Sequence, residues 1–354
     1  MKSVLAVDQW SLLALARFVL AAIVAVSHLA KYADIGILSV VSALGAFEAI
    51  LGFLLVSGYS VTSSYVTSPK GFFQRRLSRL YPVYIASVVL WLGTEAWVRQ
   101  SMPALNFELL ANLVFLNQLF TTTSLVGPAW SLSLEVWLYC LLPVLVVLGA
   151  PMNRAIAIGS FVAYLVYTVL RTLLHQPYYS GLGYGLNLVF LAFAWVCGSR
   201  LARKDEPRFL VLRDIAWTLF AHWLLAVLIQ LGSRIKRGAM DKFLTQDASV
   251  YLANGLTLVV IYWMLQHVSR DVKQPEQVSR WMRMLGDLSY PWYLIHIPAF
   301  TIGAALGIRS AYLLLALSIL MSWGMYMLFD IYSRRREIRQ SQKSRPPPAQ
   351  AGSA

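Results

Sequence analysis

Apolar stretches of about twenty residues recur along the whole chain, and no other feature constrains its fold as much. A helix needs roughly 17–25 predominantly apolar residues to cross a bilayer core. Ten runs meet that length: 11–30, 42–62, 80–98, 130–149, 155–173, 184–200, 214–232, 249–268, 287–307 and 310–331. The composition agrees, with 58% hydrophobic and 13% charged residues and a mean hydropathy of +0.61, where ordinary globular chains are roughly 25% charged. The expected fold is therefore all-α and polytopic, with about ten transmembrane helices. A further apolar piece, "ELLANLVFLNQLF" at 108–120, is short and Asn-rich, and reads as a re-entrant or interfacial segment. Residues 1–333 form one membrane-embedded domain. The stretch 334–354, basic and then Pro-rich, reads as a disordered cytoplasmic tail.

Loop charge sets the orientation. With the N-terminus inside, 21 of the 30 Lys and Arg residues fall on the cytoplasmic side, so both termini are expected there. The basic 234–242 loop is the exception on the outer side. This bias, with anionic lipid at the inner leaflet, accounts for the net charge of +14. Nucleic-acid binding, which needs a soluble basic face, is excluded. Cys140 and Cys197 both fall within spans, so no disulfide framework is expected. No small-residue cleavage site follows the first span, which reads as an anchor. Zinc-ligand spacings, Gly-rich phosphate loops and a G-x-S-x-G elbow are all missing from the sequence, so no metal and no permanently bound cofactor are expected.

Ionisable residues inside membrane helices are costly and mark functional sites. "LALARFVLAAIVAVSHLAKY" (13–32) carries Arg17 and His28 eleven residues apart. That spacing brings them within about 20° of one helix face, about 16 Å apart along the axis, so one stripe lines something polar across most of the membrane. "GPAWSLSLEVWLYCLLP" (127–143) places Trp130, Ser133 and Glu135 at the start of an inward-running span, with Tyr139 on the Glu135 face. Glu135 then lies at the outer depth of His28, where a carboxylate can orient an imidazole for general-base work. "PKGFFQRRLSRLYP" (69–82) sets Arg76 and Arg79 three residues apart on the cytoplasmic side, where two guanidinia can converge on one phosphate. "LGDLSYPWYLIHIP" (285–298) forms a polar stripe of Ser289, Tyr293 and His296 beside Tyr290, and Pro291 and Pro298 predict a bent helix. "GFLLVSGYSVT" (52–62) supplies small residues for close packing and leaves Ser57 and Tyr59 as polar groups near the inner half. His175, His222 and His267 read as isolated, without metal-ligand spacing around them, and as structural or interfacial.

In this order the segments resemble the acyltransferase-3 family of integral membrane O-acyltransferases. The family's Arg and His separated by ten residues match Arg17 and His28; its F-F-x-x-S-G-Y type segment resembles "GFLLVSGY". Its R-x-x-R before a Pro looks like Arg76, Arg79 and Pro82; its W-S-L-S-x-E matches Trp130 to Glu135; its S-Y-x-x-Y-L-x-H matches Ser289 to His296. The matches reach from residue 17 to 296. Many members carry an acid shortly before the Phe pair; here the nearest is Glu48, about one turn displaced, and it is not given that role. Some members append an extracytoplasmic hydrolase-like domain that this sequence lacks, which leaves it to act alone or with a separate partner.

The resemblance implies transfer of an acyl group, usually acetyl, from cytoplasmic acyl-CoA to a hydroxyl of a cell-surface or exported glycan or similar acceptor, in a bacterial inner membrane. His28 would be the general base, assisted by Glu135. Arg17 would lie along the acyl-CoA path, Arg76 and Arg79 would hold CoA phosphates near Ser57 and Tyr59, and Trp130, Ser133, Tyr139, Ser289, Tyr290, Tyr293 and His296 would line the route. Acetyl-CoA enters as co-substrate. The rival reading is a transporter or flippase for a sugar or lipid-linked precursor, which predicts internal repeats that the sequence does not show.

Overall fold

The computed structural model describes residues 6–100, 106–268 and 276–330. The expected tail, 334–354, lies outside them. Among the described residues there is no strand, and ten long helices carry the fold: α1 (Ala6–Leu29), α2 (Ala46–Thr67), α3 (Phe72–Arg99), α4 (Ala129–Val147), α5 (Gly149–Leu174), α6 (Leu186–Leu201), α7 (Arg208–Lys236), α8 (Ala248–His267), α9 (Glu276–Ala305) and α10 (Ala311–Met325). Each of the ten apolar runs falls on one of them. Eight are long and apolar enough to cross a membrane, α10 together with its helical continuation to Phe329. The other two are α6, only 16 residues long, and α9, which carries the polar stripe. The 108–120 piece forms two short helices, Phe107–Leu113 and Asn117–Phe120, joined through Phe115 at φ 59°. Neither is long enough to span a bilayer.

The helices sort into a buried set and a peripheral set. Eleven of the 16 residues of α6 are buried, and α6 packs against α2 on one side and α5 on the other. Gly58 and Gly198 make the α2–α6 contact: a Cβ at Gly58 would stand 2.0 Å from the Trp195 carbonyl, and one at Gly198 2.0 Å from the Leu55 carbonyl. Only glycine allows the two backbones this close. Toward the periphery, α5 turns Ile158, Val162, Val166, Val169 and Leu173 outward, and α7 turns Trp217, Phe220, Leu224 and Leu228 outward. Such stripes, three to four residues apart, suit a lipid-facing surface.

Helix α1 lies along α9, and the two run parallel. Gly286 meets Ala14, where an added Cβ would stand 2.4 Å from the alanine Cβ. Phe18 packs on Trp292 at 5.2 Å between ring centroids, and further along Tyr32 packs on Phe300 at 5.7 Å. At the opposite end of the bundle from Tyr32, Arg200 is 2% exposed. It donates to Glu206 at 2.9 Å and to Asp214 at 2.8 Å, and Asp214 accepts from Arg154 at 2.9 Å. Arg203 donates to the Leu145 and Val146 carbonyls at 2.8 and 3.2 Å. Charges that the sequence shows only as positive loops therefore tie together the ends of α4, α5, α6 and α7.

Candidate active site

Five of the helices enclose a cleft of about 100 Å³, lined among others by Arg17 (α1), Phe53 and Ser57 (α2), Arg76 and Arg79 (α3), Ser131, Glu135 and Tyr139 (α4), and Ser289, Tyr290 and Tyr293 (α9). The i, i+3 spacing in α3 puts Arg76 and Arg79 on one face, and Arg17 meets them from α1. Arg17 donates to Ser60 Oγ. The Glu135 carboxylate accepts from Ser57 Oγ and from its own i+4 neighbour Tyr139, and Trp195 Nε1 donates to Ser57 Oγ at 3.3 Å. Asp287 stands 3.8 Å from Arg79. Three guanidinia against two carboxylates leave the cleft cationic, fit for a polyanionic ligand. Arg75, adjacent in sequence, does other work: it donates to the Lys70 and Ser68 carbonyls and closes the turn between α2 and α3.

The second part of the site lies further along α1 and α9. His28 Nδ1 is 2.9 Å from His296 Nε2, and the two rings are nearly parallel, 10° apart with centroids 5.2 Å apart. His296 is fully buried, and its Nδ1 is 3.0 Å from the Trp292 carbonyl. Tyr293 links the two parts. It lines the cleft, its ring is 6.3 Å from that of His296, and its hydroxyl bonds Ser131 Oγ at 2.7 Å and donates to the Pro128 carbonyl at 3.1 Å.

The expected pairing of Glu135 with His28 does not occur: Glu135 bonds Ser57 and Tyr139, and His28 bonds His296. The cause is where α4 begins. The two short helices before it carry the chain inward, so α4 starts level with Tyr293, through the Ser131 and Pro128 contacts, and not at the outer boundary. From His296 back to Tyr293 is three residues of α9, and from Ser131 to Glu135 four of α4, which together put Glu135 about 10 Å deeper than the histidines.

Other expected site residues divide. Tyr59 does not line the cleft; two residues from Ser57, it projects from nearly the opposite side of α2. Trp130 is buried in the core. Ser133 donates to the Phe115 carbonyl at 2.7 Å, and Trp137 Nε1 donates to the same oxygen at 2.8 Å. Both hold the turn between the short helices. Ser289 donates to the Gly286 carbonyl at 2.5 Å and Tyr290 to the Leu80 carbonyl at 2.8 Å, so both brace the cleft wall. Helix α9 continues through Pro291 and Pro298. Sequence reasoning passed over Ser60 and Asp287. Ser60 follows Ser57 by three residues on the same face of α2, a spacing that could have marked it.

His222 is not isolated, as its sequence neighbours suggested. Its Nε2 is 3.4 Å from Glu48 Oε1 and its Nδ1 is 2.7 Å from the Tyr164 hydroxyl. The tertiary fold brings that acid from 174 residues away. Glu48 and His222 are both buried, and neither lines the cleft. Among the described residues no group of acids, His and Cys could hold a metal ion.

The arrangement can hold an anion at one end and accept a proton at the other, with Tyr293 between them. A protein of Acidianus two-tailed virus, named "Putative acetyltransferase ORF330", is 23% identical over 247 residues, covering 69% of this chain and 68% of that one. No solved structure matches the chain. The model of a family described as an acyltransferase domain matches residues 10–330, and so takes in every residue of the cleft and both histidines. The chain belongs to the acyltransferase-3 family.

Proposed function

We propose that this membrane acyltransferase moves an acyl group, acetyl above others, from cytoplasmic acyl-CoA to a hydroxyl of a cell-surface or exported glycan or a similar acceptor. The observation that carries the reading is the division of the site. Arg17, Arg76 and Arg79 gather in a cleft that ends against Tyr293, and the His28–His296 pair stands one turn of α9 beyond it. The charge bias of the loops puts Arg76 and Arg79 on the side where acyl-CoA is found. In this reading they bind CoA phosphates by charge-assisted, forked hydrogen bonds, Arg17 lies along the thioester arm, and the narrow cleft admits the arm while excluding a sugar. Glu135 belongs to this donor region, where it fixes Ser57 and Tyr139 and balances part of the cationic charge.

At the far end the acceptor oxygen attacks the thioester carbon and its proton passes to His28 Nε2. The C–S bond breaks, and the CoA thiolate takes that proton back from His28. A bacterial inner membrane is the setting that supplies both co-substrates, with any extracytoplasmic partner presenting the acceptor. The test is His28→Ala, matched to wild type for membrane abundance, in cells whose surface glycans are weighed by mass spectrometry. Loss of a general base costs on the order of 10²–10⁴ in rate, so acylation is expected to vanish from the spectrum. Full acylation with His28→Ala would refute the assignment of the base.

A further inference from the structure

We propose that His296 is a positioning residue: it fixes which nitrogen of His28 carries the proton and leaves His28 Nε2 as the basic one. The inference rests on the reading of His28 as the base, and it starts at a backbone oxygen. A carbonyl can only accept, so the 3.0 Å contact between the Trp292 carbonyl and His296 Nδ1 requires the hydrogen on Nδ1. A neutral imidazole has one such hydrogen, so His296 Nε2 presents a lone pair. The hydrogen in the 2.9 Å contact between the rings must then belong to His28 Nδ1. His28 Nε2 is left with its lone pair. One carbonyl thus sets two tautomers in series.

A doubly protonated His296 would break the chain of reasoning, and its surroundings oppose it. The ring is fully buried. Among the described residues the histidine that pairs with a carboxylate is His222, and Glu135 is bonded elsewhere. A buried cation with no counter-ion is strongly disfavoured. The rings are also held in place. Phe300 packs on His296 at 5.8 Å, and α1 is clamped to α9 by Phe18 on Trp292 at one side of the pair and by Tyr32 bonded to Thr301 at 3.1 Å on the other.

The arrangement differs from a carboxylate–histidine pair in one respect. A carboxylate both orients the imidazole and stabilises the imidazolium, whereas a neutral His296 only orients. Orientation still matters, because a free histidine side chain favours the opposite tautomer, with hydrogen on Nε2. A base held in the wrong tautomer loses about 10⁴ in rate in a well-studied hydrolase.

The experiment is nitrogen NMR on the full chain, with labelled histidine, in lipid nanodiscs. In wild type, His28 is expected protonated at Nδ1 and bare at Nε2, with a scalar coupling to His296 Nε2 across the hydrogen bond. His296→Leu should abolish the coupling and shift His28 toward the Nε2–H form. Its kcat should fall by about 10²–10⁴ with the KM for acyl-CoA unchanged. His296→Gln, whose side-chain oxygen can take the place of Nε2 as acceptor, should restore the tautomer and much of the rate. Wild-type His28 carrying its hydrogen on Nε2 would overturn the proposal, as would a tautomer indifferent to His296→Leu. If His28→Ala keeps full activity while the wild-type tautomer is as described, the positioning stands and the assignment of the base falls.

Discussion

Arg75 and Arg76 are neighbours in sequence with opposite duties, and only a tertiary view separates them. Arg75 spends its guanidinium on two backbone carbonyls, while Arg76 and Arg79 face the cleft. Arg76→Ala and Arg79→Ala are each expected to weaken acyl-CoA binding by about 1.5–3 kcal/mol, the range for hydrogen bonds to a charged group. Lys should rescue them only in part, since it lacks the fork. Isothermal titration against Arg75→Ala, expected to bind acyl-CoA as wild type does, makes the comparison internal. The depth of Glu135 leads to a second expectation. It and His28 touch different partners about 10 Å apart, so the losses in His28→Ala and Glu135→Gln should multiply in the double variant, as distant sites do. A double variant no worse than the poorer single one would mean that they act as one unit. Residues whose meaning lay in helical spacing, such as Arg76 with Arg79, were legible in the sequence. The Glu135 partner was not, because depth depends on where α4 starts, and hydropathy does not report that.

At the scale of elements, the ten long helices were legible because a run of about twenty apolar residues admits few other folds. Their pairing was not. The α2–α6 contact depends on Gly58 and Gly198, and the "SGY" stretch marked only one half of it. A methyl at either position would meet backbone and not a movable side chain, so Gly58→Ala and Gly198→Ala are each expected to cost about 1–3 kcal/mol, the usual range for overpacking. Gly93 and Gly159 have nothing within 4 Å of an added Cβ, and alanine there should be neutral. Thermal denaturation of the four variants in one detergent distinguishes packing from a general intolerance of alanine. Equal midpoints for all four would show that the close approach is not needed.

For the whole molecule, orientation decides which end of the site would meet acyl-CoA in the proposed reaction. The basic 234–242 loop, the exception to the charge bias, is partly neutralised where Arg234 donates to Asp247 at 2.7 and 3.0 Å. That contact strengthens the expectation that the turn around Lys70 faces the cytoplasm and the turn around Gly307 faces outward. In a Cys140→Ser, Cys197→Ser background, a cysteine in place of Ser68 should resist a membrane-impermeant maleimide added to whole cells, and one in place of Ser310 should react. The reverse labelling would turn the donor and acceptor sides around. Phe53 packs edge-on against Tyr293 at 5.3 Å, and Tyr293 is pinned by Ser131 and the Pro128 carbonyl. This aromatic septum matters for energy conservation. An enzyme with an aqueous opening toward each compartment would be a shunt for protons if the openings joined, and each charge leaking through would dissipate about 2.3 kcal/mol per 100 mV of membrane potential. In the proposed reaction Phe53 and Tyr293 would form that barrier, so that the acyl group changes compartments while the coenzyme and the membrane potential are kept.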